Sequence, residues 1–227
     1  MTGAPAAAFQ RARTEEQRAA RRLAILQTAA TMLTEMPVAD ISLNGLSRRV
    51  GIAKSNVLRY FESREAVLLE LLNTAWRDWL SYLALRIPAA VDPSAPLTAR
   101  CEQLAQTITQ SLAAHPQLCE LISASAAVLE RNISADVARR FKTTALENTV
   151  TLACLIQIRL SELRDPTAER LARTTFLVTG ATWIMAHPSA SMIAANQSLA
   201  VSPVDFSVSL SEILADLLAG AIARSPD

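Results

Sequence analysis

Glycine and aromatic residues are scarce in this chain of 227 residues, with five glycines and 4% Phe, Trp and Tyr. Gly3, Gly45, Gly51, Gly180 and Gly220 nowhere take the spacing of G-x-G-x-x-G or of a P-loop, so the usual backbone cradles for phosphate are excluded. No serine stands in G-x-S-x-G. The three cysteines, Cys101, Cys119 and Cys154, form no C-x-x-C pair. Each sits in an apolar helical context and reads as a reduced, buried thiol. Only two histidines occur, His115 and His187, each directly before a proline. That is too little nitrogen and sulfur for a zinc site and suits helix boundaries better. No metal, cofactor or catalytic group is expected, and the chain does not read as an enzyme.

Long hydrophobic runs are also lacking. The longest charge-free stretch, 174–204, is interrupted by His187, Pro188, Asn196, Gln197 and several serines. Its densely apolar part, 176–186, falls short of the ~20 residues that a spanning helix needs. Near the N-terminus a short apolar patch, 6–9, gives way to charged residues, with no apolar core of secretory length. The expectation is a cytoplasmic protein with no membrane partner.

Hydrophobic residues make up 51% of the chain, which argues against disorder. Few glycines with abundant Ala and Leu favour helix over a sandwich or barrel. Prolines divide the sequence into stretches of helical periodicity without strand-like alternation. Thr14-Glu15-Glu16-Gln17 fits a capping box and predicts a first helix from Thr14, ended by Pro37. Ser42 caps a short helix over 43–50, and Gly51 suits the left-handed residue that follows it. A second short helix is expected over 54–60. Ser63 caps a long one reaching 85, before Pro88. After a linker at 92–96, helices are expected over 97–114, 117–130, 135–163, 166–186 and 204–224, the last two opened by Asp165-Pro166 and Ser202-Pro203. The fold class is therefore all-α with about nine helices. A helix-turn-helix unit of three helices (14–62) precedes a larger helical domain (63–227).

The segment 42–61 carries the most information. Val50, Ile52, Val57 and Phe61 supply a miniature core for two short helices around Gly51, with small Ser47 where they approach. The second helix leaves Lys54, Ser55, Asn56, Arg59 and Tyr60 for its outer face. These are donors suited to base edges and phosphates, as in a helix that enters the major groove. Leu58 either packs on a thymine methyl or supports the helix. The stretch Val50-Gly-Ile-Ala-Lys-Ser-Asn-Val-Leu-Arg-Tyr-Phe-Glu-Ser-Arg-Glu-Ala-Val67 resembles the DNA-binding signature of the TetR family of transcriptional regulators. The match covers about 18–79 at the level of motif, and the helical layout and length extend it weakly over the whole chain. The resemblance implies that Ser42 caps the second helix and touches a phosphate. It implies that Ser55 and Asn56 face bases, that Arg59 reaches a base or the backbone, and that Tyr60 and Arg64 bind the backbone. Many members have Gly-Thr in place of Ser55-Asn56, Tyr in place of Leu58 and Gly near Pro37. These departures bear on the operator sequence and leave the fold intact.

The resemblance also implies a ligand cavity and a dimer interface in the larger domain. Candidate cavity residues are Trp76, Trp79, Tyr82, His115, Cys119, Phe141 and Trp183. Trp76 and Trp79, at i and i+3, equally suit a core stripe, and His115 a helix terminus. The two last long helices carry few charges. Leu171, Phe176, Leu177, Trp183 and Ile184 on one, with Leu210, Ile213, Leu214, Leu217 and Leu218 on the other, exceed what one helix face buries. They suit a four-helix contact across a two-fold axis, and hence a homodimer reading a near-palindrome.

The net charge of +1 conceals a division. Residues 1–64 hold ten Lys/Arg against five Asp/Glu, +5, and the remainder twelve against sixteen, −4. The basic excess lies with the reading helices. The expected function is a DNA-binding transcriptional regulator, a repressor released from a palindromic operator by a small apolar effector. The alternatives are an all-helical regulator controlled by a protein partner, and a small-molecule carrier without DNA binding.

Overall fold

The computed structural model describes residues 4–125 and 128–224. Among them are ten α-helices and no strand. The helices are α1 (Ala4–Leu33), α2 (Leu43–Val50), α3 (Lys54–Leu58), α4 (Arg64–Ala90), α5 (Leu97–Ala113), α6 (Pro116–Ser125), α7 (Ala135–Gln157), α8 (Asp165–Ala186), α9 (Ala190–Ser198) and α10 (Phe206–Ala223). Short 3-10 turns stand at Val38–Asp40 and Leu129–Arg131.

The head, α1–α3, closes over Ile25, Ala29, Met32, Ile41, Leu46, Val57 and Phe61, all buried. Helix α4 is the spine. Its head-side end contacts α1, and further along it packs against α5, α6 and α7. The body is completed by α8 against α6 and α7, and by α10 against α5 and α8. The α6–α8 crossing is close enough that a Cβ on Gly180 would lie 3.2 Å from Ile122 Cγ2 and 3.3 Å from the Ser123 Cα. A side chain there would force Ile122 and Ser123 to give by a few tenths of an ångström.

Several boundaries differ from the sequence expectation. Helix α1 runs through Thr14 instead of starting there. Helix α4 continues past the expected stop and contains Pro88. The proline lies in the last turn, Ile87 and Val91 are buried on either side, and Arg159 satisfies the carbonyls at that end. Its Nε donates to Val91 O at 3.0 Å and its Nη2 to Pro88 O at 3.1 Å. The helix expected over 117–130 is described to Ser125; residues 126–127 lie outside the described residues, and a 3-10 turn follows. Helix α7 stops at Gln157, six residues early. The Gln157 amide donates to Leu163 O and to Asp165 Oδ1, both at 2.9 Å, folding the connection back while Leu160 and Leu163 enter the core. Asp165 is consequently the first residue of α8 and not its cap. Helix α10 is capped by Asp205, whose Oδ1 accepts from Val208 N at 2.9 Å, and not by Ser202. Helix α9 is an addition. It is capped by Ser189 and buries none of its residues.

One described helix, Phe206–Ala223, is long and apolar enough to cross a membrane by composition, with 28% of it buried inside the protomer. Its inner face, Phe206, Leu210, Leu214, Leu218 and Ala221, is core.

Candidate nucleic-acid interface and regulatory body

The turn between α2 and α3 is built as the sequence requires. Ser42 Oγ accepts from Gly45 N at 3.0 Å and caps α2. Gly51 ends it at φ +75°, a left-handed conformation that a side chain would strain. Val57 and Phe61, at 0% and 3% exposure, anchor α3 to the head. Because they turn inward, Lys54, Ser55, Asn56, Leu58 and Arg59 form an exposed surface, with Tyr60 half-buried at its end. The structure thus brings five of the seven nominated DNA contacts onto α3 and the turn that follows it. Ser42 is exposed at the start of α2. Arg64 is half-buried, and its Nη1 donates to Ala39 O at 3.5 Å, so it also braces the loop before α2.

Arg22 has no distinguishing mark in the sequence but fixes α3 to the body. Its guanidinium lies 4.2 Å above the Phe61 ring, donates to the Tyr60 carbonyl and pairs with Glu70 of α4. Glu62 is a second clasp. Its carboxylate accepts the Ser134 N–H at 2.6 Å and the Ser134 hydroxyl at 2.7 Å, joining the head to the start of α7. Those bonds hold the Glu62 carboxyl below its ordinary value.

The nominated cavity residues do not share one site. Trp76 and Trp79 line a small apolar space with Leu112, Phe176, Thr175 and Thr179. It is nearly filled, at about 10 Å³, no more than the space one water centre needs. Trp76 stacks on Phe176 at 4.5 Å, and the Trp79 indole donates to Ser111 Oγ at 2.9 Å. The Thr179 hydroxyl lining this space is buried without a hydrogen-bond partner among the described residues. Tyr82 is exposed and packs edge-on against His115, whose Nδ1 lies 2.6 Å from Ser111 O. Cys119 is core; its thiol donates to Leu112 O at 3.4 Å, and burial pushes its pKa up to about 12. Phe141 lines a different cleft, between head and body. Trp183 packs on His187 and Phe206 and donates to Glu120. Cys154 departs from the expectation of a buried thiol: it is exposed on α7.

The nominated dimer residues divide as well. Leu171, Leu210, Leu214 and Leu218 are buried within the protomer, and Phe176, Leu217 and Trp183 are half-buried. Leu177 at 65%, Ile184 at 57% and Ile213 at 38% exposure remain outside. Met185 of α8 and Val208 of α10, which the sequence reading missed, are further exposed apolar residues of these helices.

A short exposed helix set after a left-handed glycine turn, on a small three-helix head joined to a larger helical body, is the geometry of a helix-turn-helix unit. Residues 73–225 match the profile of the "Tetracyclin repressor-like, C-terminal domain" family, and the chain belongs to that family. The HTH-type transcriptional regulator EthR of Mycobacterium tuberculosis is 49% identical over 53 residues, 23% of this chain and 24% of that protein. The matched stretch therefore spans about a quarter of the curated relative. Two solved structures share the fold at low identity. The fatty acid degradation regulator FadR from Bacillus halodurans aligns at TM-score 0.53 and 14% identity, covering 91% of this chain and 97% of that one. The transcriptional regulator FadR from Bacillus subtilis, solved with stearoyl-CoA, aligns at TM-score 0.53 and 16% identity, covering 88% and 98%.

Proposed function

We propose that this protein is a homodimeric, cytoplasmic transcriptional repressor that binds a near-palindromic operator through α3 and leaves it when a small apolar effector enters the body. The observation that carries the reading is the exposed row Lys54, Ser55, Asn56 and Arg59 on a helix held by buried Val57 and Phe61. Base discrimination then comes from Asn56 and Arg59, exposed side chains of the types that pair with adenine and guanine edges. Positioning comes from Ser42, Lys54, Tyr60 and Arg64 on the phosphates.

The exposed apolar side chains Leu177, Ile184 and Met185 of α8 and Val208 and Ile213 of α10 support pairing of these helices with a second copy. Such a seam also gives the outer face of α10 a covering other than lipid. The effector enters beside the stacked Trp76 and Phe176, where the unpartnered Thr179 hydroxyl offers a polar handle. Opening that space shifts α4, and with it the spacing of the two heads; a ligand acts by its differential affinity for the two arrangements. The small volume of the space also lends weight to a second reading, a regulator that answers to a protein partner instead of a small molecule.

Selection of genomic DNA fragments on the purified protein tests the proposal. A shared near-palindrome should be enriched, and a small-molecule screen should release it. Enrichment of no sequence contradicts DNA reading. Release only by another protein supports the second account.

A further inference from the structure

A larger cleft than the one beside Trp76 lies between the head and the body, with a volume of about 380 Å³, within the roughly 300–1,000 Å³ of small-molecule sites. One wall is the head: Arg22, Tyr60, Phe61 and Glu62. The other is α4 with α7, contributing Leu69, Glu70, Asn73, Arg77, Val137 and Arg140 among others. Its charged groups are three guanidiniums and two carboxylates, a net +1. They are not equally free. Arg22 is paired with Glu70, and Glu62 is bonded to Ser134. Arg77 and Arg140 are exposed, and neither has a carboxylate within salt-bridge distance among the described residues; Glu62 acts on Arg140 only from further off. Asn73 supplies a second, independent mark. It is 8% exposed, lines the cleft, and its Oδ1 is buried with no partner, while its Nδ2 donates to Phe141 O at 3.4 Å. A buried acceptor left unpaired costs free energy that a ligand donor would recover.

We propose that this cleft binds an amphipathic organic monocarboxylate that also bears a hydroxyl or amide N–H. The carboxylate meets the forked donors of Arg77 and Arg140, a geometry that guanidinium matches bidentately. The hydroxyl or N–H donates to Asn73 Oδ1, which turns out of its buried position to meet it, and the tail lies along the α4–α7 wall, where Leu69, Val137 and Phe141 present only their edges. The net +1 suits a monoanion; Glu62 and Glu70 oppose a phosphate dianion. Because the ligand touches both walls, it biases the angle between head and body, and so the reading of DNA. That consequence rests on the proposed repressor function, whereas the binding itself does not.

Calorimetry on the full-length protein with 3-hydroxyoctanoate, octanoate and 1-octanol tests it. The expected result is one site per protomer for 3-hydroxyoctanoate, weaker binding of octanoate and none of 1-octanol. Arg77→Ala with Arg140→Ala should weaken the carboxylates at least tenfold while leaving the urea midpoint unchanged, since both side chains are exposed. Asn73→Leu should abolish the preference for the hydroxy acid; if that variant unfolds, the arginine pair still decides. Absence of heat at millimolar acid, equal affinity of the arginine variants, or equal binding of 1-octanol overturns the site. DNA retention is scored separately. Acid binding without DNA retention counts against the repressor and not the cleft, and DNA retention without acid binding counts against the cleft alone.

Discussion

Trp183 donates its indole N–H to Glu120 Oε2 at 3.0 Å, and the other oxygen of that carboxylate accepts the backbone N–H of Val38 at 3.2 Å. One side chain of α6 therefore joins the 3-10 turn of the head to α8 of the body. Together with the Arg22–Glu70 pair and the Glu62–Ser134 clasp, it makes the head a part whose position depends on the body.

Removing that join has a measurable cost. Glu120→Ala leaves the Val38 N–H and the Trp183 indole without their acceptor, and each is partly buried. Unfolding in urea should show a loss of about 1–3 kcal/mol. Trp183→Phe breaks only one of the two bonds, so its hydrogen-bond contribution is smaller, and the double variant should be less than additive.

At the reading helix, Asn56→Ala should lower affinity for the selected duplex and narrow its advantage over single-base variants at one position by about 1–3 kcal/mol. Tyr60→Phe should weaken every duplex to the same degree, as loss of a phosphate contact does. Binding curves on the operator and its base-substituted forms separate the two. Equal losses on all duplexes for Asn56→Ala would remove its base-reading role.

The Glu62 clasp predicts a pH dependence. Its carboxyl is held below its ordinary value of 4.5 by the Ser134 hydroxyl and N–H. A depressed folded value means that the stabilisation is fully present above 4.5 and is lost as pH falls through the folded value. Glu62→Gln should therefore be less stable than the parent at pH 7, by under about 1 kcal/mol because the site is exposed. The gap should close in urea titrations carried below pH 4.5.

Thiol labelling should distinguish the three cysteines. Cys154 is exposed and should react in the native protein. Cys101 and Cys119 are buried, the latter with a pKa pushed up to about 12, and should react only on unfolding.

Leu177→Glu with Ile184→Glu should turn a dimer into a monomer by light scattering at micromolar concentration. Both side chains are over half exposed, so the folded protomer should persist with unchanged helical content.

The helix-turn-helix unit was largely legible in the sequence because its caps and turn are set by local chemistry. Ser42, Gly51 and Ser63 act within a few residues of their own positions, as a cap, a left-handed turn and a second cap, and the i, i+4 spacing of Val57 and Phe61 marks the face that anchors α3. Where long-range contacts decide, the sequence was mute. Arg159 bonds the carbonyls of Pro88 and Val91 where α4 ends, and Gln157 ends α7 early. Nothing in the local sequence sets Arg22 apart from Arg18 and Arg21, yet it alone pairs with Glu70. Helix α9 was missed because it has no apolar stripe and buries nothing. The split of Leu210 and Leu214 from Ile213 follows from which face of α10 meets α5 and α8, a choice that composition does not record.

The most direct measurement is fluorescence anisotropy of the selected duplex with the parent protein and with Arg59→Ala, across a salt series from about 50 to 200 mM. If α3 reads DNA as proposed, the parent binds the selected sequence well above a scrambled one, and affinity falls log-linearly with salt. Arg59→Ala should bind more weakly with a shallower salt slope, a loss of discrimination, or both. Equal binding to selected and scrambled duplexes, or an Arg59→Ala curve that overlays the parent at every salt concentration, would contradict it.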